Sequence, residues 1–218
     1  MRYLSFSEVR KFYDAWGLKQ DNPGPYESLA LDEMMAVGNW AAAKNIAELG
    51  PGTGKFAHAL MAGPVSPSAR YSGFDLSETM LQICQHRLHT FSDRVHWCQT
   101  NGELPMWEAE VYDRVIANFV LDIFSPEMIA EFIDRSYVAL EPKGLLCLAN
   151  LSFGKKWANK VSISLWRLVY LIKPAIVGGC RPLKMAPYLD AQKWKILHEK
   201  ITEPKRGIPS EVLIAQKI

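Results

Sequence analysis

Asn45-Ile46-Ala47-Glu48-Leu49-Gly50-Pro51-Gly52-Thr53-Gly54 is the stretch on which the fold turns. A short, mostly apolar strand carrying one acid runs straight into three glycines at alternate positions, and a helical pattern follows over Lys55 to Met61. Glycine reaches positive φ without steric cost and lets the backbone approach a ligand closely. In open α/β sheets the crevice beyond the strand C-termini is where ligands bind. The stretch therefore predicts a first strand, a ligand-facing turn and a first crossover helix.

The pattern repeats downstream. Arg70–Leu76 reads as a second strand ending at Asp75, and Ser77 is placed to cap a helix over Glu78–Leu88. Val95–Thr100 and Asp113–Asn118 read as further strands. Pro126–Leu140 has helical apolar spacing at Ile129, Phe132, Ile133 and Val138. After the turn Pro142-Lys143-Gly144, Leu145–Leu151 is a fifth strand. Upstream lie a helix over residues 7–18, the breaker Asp21-Asn22-Pro23-Gly24-Pro25, and a second helix over Tyr26–Val37. Residues 153–193 carry no regular alternation. Lys195–Thr202 and Glu211–Ile218 then form two strands with no helix between them, which pair antiparallel. The expected fold class is α/β: a doubly wound, mostly parallel seven-stranded sheet with an antiparallel terminal strand, helices on both faces and an insert that caps the substrate. A single domain over 1–218 is expected, in four parts: a helical lid (1–40), a core (41–152), the insert (153–194) and the terminal strand pair (195–218).

Composition excludes several functions. The 218 residues carry 25 Lys and Arg against 23 Asp and Glu, a net charge of +2, which argues against a dedicated nucleic-acid binder. Cys84, Cys98, Cys147 and Cys180 form no CxxC or zinc-ligand spacing and read as free thiols in a reducing cytoplasm, with no metal site. Glu8, Arg10, Lys11 and Asp14 interrupt any leader-like apolar run. Arg167, Lys173 and Pro174 interrupt the apolar stretch Val161–Cys180, so it does not read as a membrane span.

Asp75, about twenty residues beyond the glycines, can accept both hydroxyls of a ribose, a geometry shared by nicotinamide and adenosyl ligands. The third glycine comes one residue too early for the dinucleotide fingerprint GxGxxG, and Lys55 follows it. Glu48 would repel a pyrophosphate but suit an ammonium or sulfonium. Together these features favour a cationic ligand without a pyrophosphate.

ELGPGTG (48–54) resembles the first motif of class I S-adenosylmethionine-dependent methyltransferases, and GFDLSETML (73–81) their second. NGELP (101–105), YDRVIANFVLD (112–122) and LEPKGLLCLAN (140–150) resemble the later motifs, so the likeness covers about residues 40–152 and the terminal strand pair. The resemblance implies that S-adenosylmethionine is the cofactor. The glycine loop Gly50, Pro51, Gly52 and Gly54, with Glu48, would hold its methionine part. Asp75 with Leu76 and Met80 would hold the ribose side, and Asn101 with Gly102 the adenine. Asn118 and Phe119 would lie beside the methyl group, and Tyr13 and Tyr26 would contact the ligand from the lid. Asn101 stands where the family often has an aspartate, and the spacing to Leu104-Pro105 is one residue short.

Methyl transfer needs a base only when the acceptor must lose a proton. Asp122, His58, His96 and Tyr13 are the candidates, and none is marked as catalytic by sequence. In 153–195 nine basic residues stand against one acid, Asp190, alongside Trp157, Trp166, Tyr170, Tyr188 and Trp194. Three readings of this insert stay open: an interfacial helix giving peripheral membrane contact, a lid over a soluble or lipid-like acceptor with Trp166, Tyr170 and Arg181 as contacts, and a packing layer with a solvated cationic face. The expectation is a cytoplasmic methyltransferase acting on a small, apolar or quinone-like acceptor. The rivals are a non-catalytic donor-binding sensor and a nicotinamide-dependent oxidoreductase.

Overall fold

The computed structural model describes residues 3–21 and 25–218; of the breaker at 21–25, Asn22, Pro23 and Gly24 lie outside the described residues. Seven strands form one sheet in the order β3-β2-β1-β4-β5-β7-β6. They are β1 (Asn45–Leu49), β2 (Arg70–Asp75), β3 (Val95–Gln99), β4 (Tyr112–Asn118), β5 (Leu140–Leu151), β6 (Trp194–Thr202) and β7 (Ser210–Lys217). Only β7 runs antiparallel, between β5 and β6. The helices are α1 (Phe6–Trp16), α2 (Pro25–Val37), α3 (Lys55–Ala62), α4 (Glu78–Arg87), α5 (Pro126–Ala139) and α6 (Trp157–Ile172).

The central strands read as continuous apolar runs because both faces of the sheet are covered. Ile46, Ile116, Cys147 and Ile214 pack on one face with Met34 and Leu60; Ala47, Val115, Leu146 and Leu213 pack on the other with Ile129 and Phe132. The chain leaves β1 toward β2 on one side and reaches β4 on the other, so the sheet has its switch point at the tips of β1 and β4.

Two elements depart from the sequence reading. β5 starts at Leu140 rather than Leu145. A register shift opposite Tyr112 and Arg114 absorbs the expected turn, with Lys143 at φ +66°. The irregular stretch 153–193 contains the sixteen-residue helix α6. Apolar residues nearly all round its surface hide the helical period that a one-sided helix displays. Its start is fixed by Glu203, which accepts from the Lys155 and Lys156 amides at 2.6 and 3.0 Å. Asn159 donates from Nδ2 to the carbonyls of Pro204 (3.1 Å) and Gly207 (3.2 Å).

Candidate active site

At the switch point the glycine loop folds into a tight turn. Gly50, Gly52 and Gly54 all lie at positive φ, at 66°, 56° and 73°, a region that favours glycine over every other residue. At Gly50 a Cβ would also come within 2.9 Å of Val120. Asp75 pins this loop: its Oδ2 accepts from the Gly52 amide at 3.2 Å and its Oδ1 from the Ser77 amide at 2.8 Å. Each oxygen keeps a lone pair for a further donor. Burial raises the Asp75 carboxyl to about 6, against the lowering effect of these amides. Ser77 caps α4 by accepting from the Met80 amide and donates to Asp14 of α1 at 2.5 Å, so the cap also ties down α1.

Glu48, 1% exposed, accepts from the Tyr71 hydroxyl and, at 3.1 Å, from the Asn118 side-chain amide. Burial raises it to about 7. The Asn118 Oδ1 is buried without a hydrogen-bond partner. A carboxylate beside an unpaired amide oxygen forms an acceptor pair suited to an ammonium. The two atoms give the cleft wall the character of a cation site.

Phe6, Val9, Arg10 and Tyr13 of α1 close the cleft from above, opposite Leu76, Met80, Gly102, Glu103 and Leu104. Asn101, the expected adenine contact, lies apart from the cleft. Asn101 is exposed and takes no part in the cleft wall, because the turn at Gly102 (φ +91°) brings that residue's backbone to the wall instead. A Cβ at Gly102 would lie 2.6 Å from the Phe6 ring, so α1 rests directly on this glycine.

A second cavity adjoins the first and shares Tyr13, Gln20, Glu27 and Phe119 with it. Phe119, just beyond β4, sits at φ +53°, a strained backbone held by its amide bond to Ala149 O at 2.7 Å. Its ring meets Tyr26 edge-on at 5.9 Å, and Tyr26 meets Trp166 of α6 at 6.4 Å. Asp122 lines this cavity and is fully buried; the Leu151 amide and the Cys180 thiol lie close enough to act on its carboxyl, but neither oxygen completes a hydrogen bond of ordinary geometry. Burial raises its carboxyl to about 7, while the Leu151 amide and then the Arg181 charge pull the other way. Burial likewise raises the Tyr13 hydroxyl and the Cys180 thiol, which lie 3.8 Å apart, and the carboxyl of Glu27, to which the Tyr26 hydroxyl donates at 2.9 Å.

Other expected residues fall elsewhere. Arg181 lines neither cavity. It donates from its amide (3.0 Å) and guanidinium (2.9 Å) to the Asp122 carbonyl and so acts through that residue's backbone. Tyr170 is buried under α6 away from both cavities, because it belongs to the helix face that packs inward. His58 packs on Phe91 and His96 is exposed on β3, and neither lines a cavity. The sequence reading missed Phe6, Glu27 and Cys180. Phe6 and Glu27 stand in helices far from every motif, and Cys180 had no signal beyond being a thiol. Among the described residues no group of three or more His, Cys, Asp or Glu could hold a metal.

A mostly parallel sheet with this strand order, and a glycine loop pinned by the acid of the next strand, give a Rossmann-like α/β fold with a ligand-sized cleft at its switch point. The sequence model of the family described as a methyltransferase domain matches residues 46–144, which span the strands that build the cleft. No curated protein sequence matches the chain. Among solved structures, it is similar to the N-methyltransferase NodS from Bradyrhizobium japonicum WM9 in complex with S-adenosyl-L-homocysteine. The two share 15% identity over 97% of each chain, with a TM-score of 0.71. It is also similar to magnesium protoporphyrin IX methyltransferase from Synechocystis PCC 6803, at 17% identity over 98% of this chain and 99% of that one, TM-score 0.68. An O-methyltransferase family protein from Burkholderia thailandensis is 18% identical over 96% of this chain and 59% of its own, TM-score 0.65. At these identities the likeness is one of fold.

Proposed function

We propose that the main cleft holds S-adenosylmethionine and that the second cavity takes a small, largely apolar acceptor whose one ionisable N–H or O–H meets Asp122. In this reading residues 1–40 form the lid, 41–152 the donor-binding core and 153–194 the cap over the acceptor, with 195–218 completing the sheet. When bound, the donor supplies a methyl group on a sulfonium.

The residues present fit that donor. Asp75 has lone pairs free for the two ribose hydroxyls. Glu48 and the unpaired Asn118 Oδ1 suit the ammonium. Leu76, Met80 and Leu104 offer an apolar slot for the adenine, with the Gly102 backbone at its edge. Phe119 stands between the two cavities and would align the acceptor against the methyl group.

The observation that carries the acceptor reading is the buried Asp122 carboxylate, neither oxygen of which completes a hydrogen bond of ordinary geometry, among Phe12, Tyr13, Tyr26, Phe119 and Trp166. Near neutral pH such a group is partly ionised and can take a proton from an N–H or O–H held at hydrogen-bond distance. The Arg181 bonds to its carbonyl hold it in place.

The test is transfer of a labelled methyl group to a panel of phenols, quinols and amines between roughly pH 5 and 9, with the wild type and Asp122→Asn. Product that rises through neutral pH in the wild type and is lost in the variant supports the proposal. Equal product from both would remove Asp122 from the reaction. Intact donor binding with no product from any acceptor would favour the sensor reading.

A further inference from the structure

We propose that the outward face of α6 docks on an anionic lipid bilayer. The helix divides cleanly. Asn159, Ile163, Trp166 and Tyr170, spaced four, three and four apart, face the protein; Asn159, Ile163 and Tyr170 are buried and Trp166 lines the second cavity. Trp157, Val161, Leu165, Leu168, Leu171 and Ile172 fall within about 120° of arc on the opposite side, at the helical step of about 100° per residue. All six are exposed, Trp157 by 80%, Leu171 by 64% and Ile172 by 75%. Folding the chain leaves this stripe uncovered, and a contiguous apolar face of this length marks a contact with something outside the protein.

The surrounding charge selects the occupant. Lys160 and Arg167 run along one flank, and Lys155, Lys156 and Lys173 stand at the ends, all exposed. No acid occurs from residue 151 to 189. Lys and Arg beside an apolar helix face are attracted to the negative surface of a bilayer, while the apolar side chains sink to the boundary between headgroups and acyl chains. Sixteen residues are too few to span. Among the described residues no helix is long and apolar enough to cross a membrane, so α6 lies along the surface.

The stripe continues toward the rim of the second cavity. Ile176, 63% exposed, follows α6 by one turn and lines that cavity together with the exposed Trp16 and Lys19. Docked this way, the rim faces the lipid. The docking itself stands on the α6 surface alone, whereas the delivery of a bilayer-resident acceptor rests on the proposed role of the second cavity.

Co-sedimentation of the full chain with phosphatidylcholine vesicles, with and without roughly 30% phosphatidylglycerol, tests the docking. Binding to the anionic vesicles is expected, with at least about a tenfold loss of bound protein in roughly 0.5 M salt. A similar loss is expected in the triple variant Leu165→Gln, Leu168→Gln, Ile172→Gln and in the double variant Lys160→Glu, Arg167→Glu. None of these residues lines either cavity, so titration with S-adenosylhomocysteine reports both intact folding and a donor site that stands or falls independently. Failure of the wild type to sediment with anionic vesicles, or equal binding by the triple variant, would overturn the proposal. So would a wild-type dimer in light scattering that the triple variant breaks, because the stripe would then be a subunit interface.

Discussion

The cleft and the cavity beside it share four residues yet are assembled in opposite ways. The cleft is made at strand tips: Glu48 through Gly54, Asp75 through Ser77, Gly102 through Leu104 and Asn118 with Phe119 come from short runs that each end a strand or open a helix. The cavity takes Phe12, Tyr13 and Trp16 from α1, Tyr26 and Glu27 from α2, Asp122 from the turn after β4, Trp166 from α6 and Ile176 to Cys180 beyond it. On the proposed reading, the cleft takes a donor common to a whole class of enzymes, whose chemistry imposes local motifs, and the cavity takes an acceptor particular to this protein, met by side chains that only the tertiary fold brings together. Polar pairing differs in the same sense. Both oxygens of Asp75 accept from backbone amides, at 3.2 and 2.8 Å, whereas neither oxygen of Asp122 completes a hydrogen bond of ordinary geometry.

The largest expected effect probes the cavity side of this contrast. Asp122→Asn should lower the turnover number about 10²-fold or more, the usual worth of a positioned base, while leaving donor affinity unchanged. The same variant carries a stability signature. Burial raises the folded carboxyl to about 7, so the stability tied to its protonation is complete below about pH 4 and is lost as pH rises through 7. Thermal unfolding should therefore show the Asn variant gaining on the wild type between roughly pH 4 and 7, and no further above that. A constant offset would mean that Asp122 is not a raised, buried carboxyl.

Next comes the cleft. Asp75→Ala should weaken donor binding by about 1–3 kcal/mol, from lost hydrogen bonds and a loosened Gly52. Calorimetry would check it, and an unchanged affinity would place the ribose elsewhere. Glu48 adds a pH dependence. Its carboxyl, raised to about 7 by burial, is neutral at acid pH, and an ammonium ligand favours the ionised form. Donor affinity should rise from about pH 5 to 7 and then level off, with proton release on binding near neutrality. A flat profile would remove Glu48 from the ammonium.

Much of this was legible in the sequence, for reasons that differ by residue. The β1 bounds and the Ser77 cap follow from short-range rules that the fold obeys: a buried apolar run before glycines, and a hydroxyl accepting an amide three residues on. Asn101 misled because a motif position does not reveal which way a left-handed glycine turns the chain, and Gly102 turned it. Asp122 follows a strand tip, where an acid more often faces solvent or caps a turn. In the fold it is fully buried, with Arg181, fifty-nine residues away, donating to its carbonyl. Glu27 carries no local mark, being one acid in the first turn of a helix, where acids are common.

The smallest expected effect lies where the lid strap crosses the glycine loop. Arg87 donates to both Asp21 oxygens and to Thr53, and these bonds hold the Asp21 carboxyl below its usual value. Asp21→Asn should cost about 1–2 kcal/mol of stability at neutral pH. The lowered carboxyl contributes above its unfolded value and loses that contribution as pH falls through the folded one. The gap to wild type in chemical denaturation should therefore close in acid. A gap that persists at low pH would show that the strap is held by packing rather than by this ion pair.

Titration of S-adenosylhomocysteine into the wild type, Asp75→Ala and Asp122→Asn tests most directly whether the cleft and the cavity are separate sites with separate ligands. One molecule should bind per chain in the wild type, with the same affinity in Asp122→Asn and a weaker one in Asp75→Ala. Equal binding by Asp75→Ala, or loss of binding in Asp122→Asn, would contradict it.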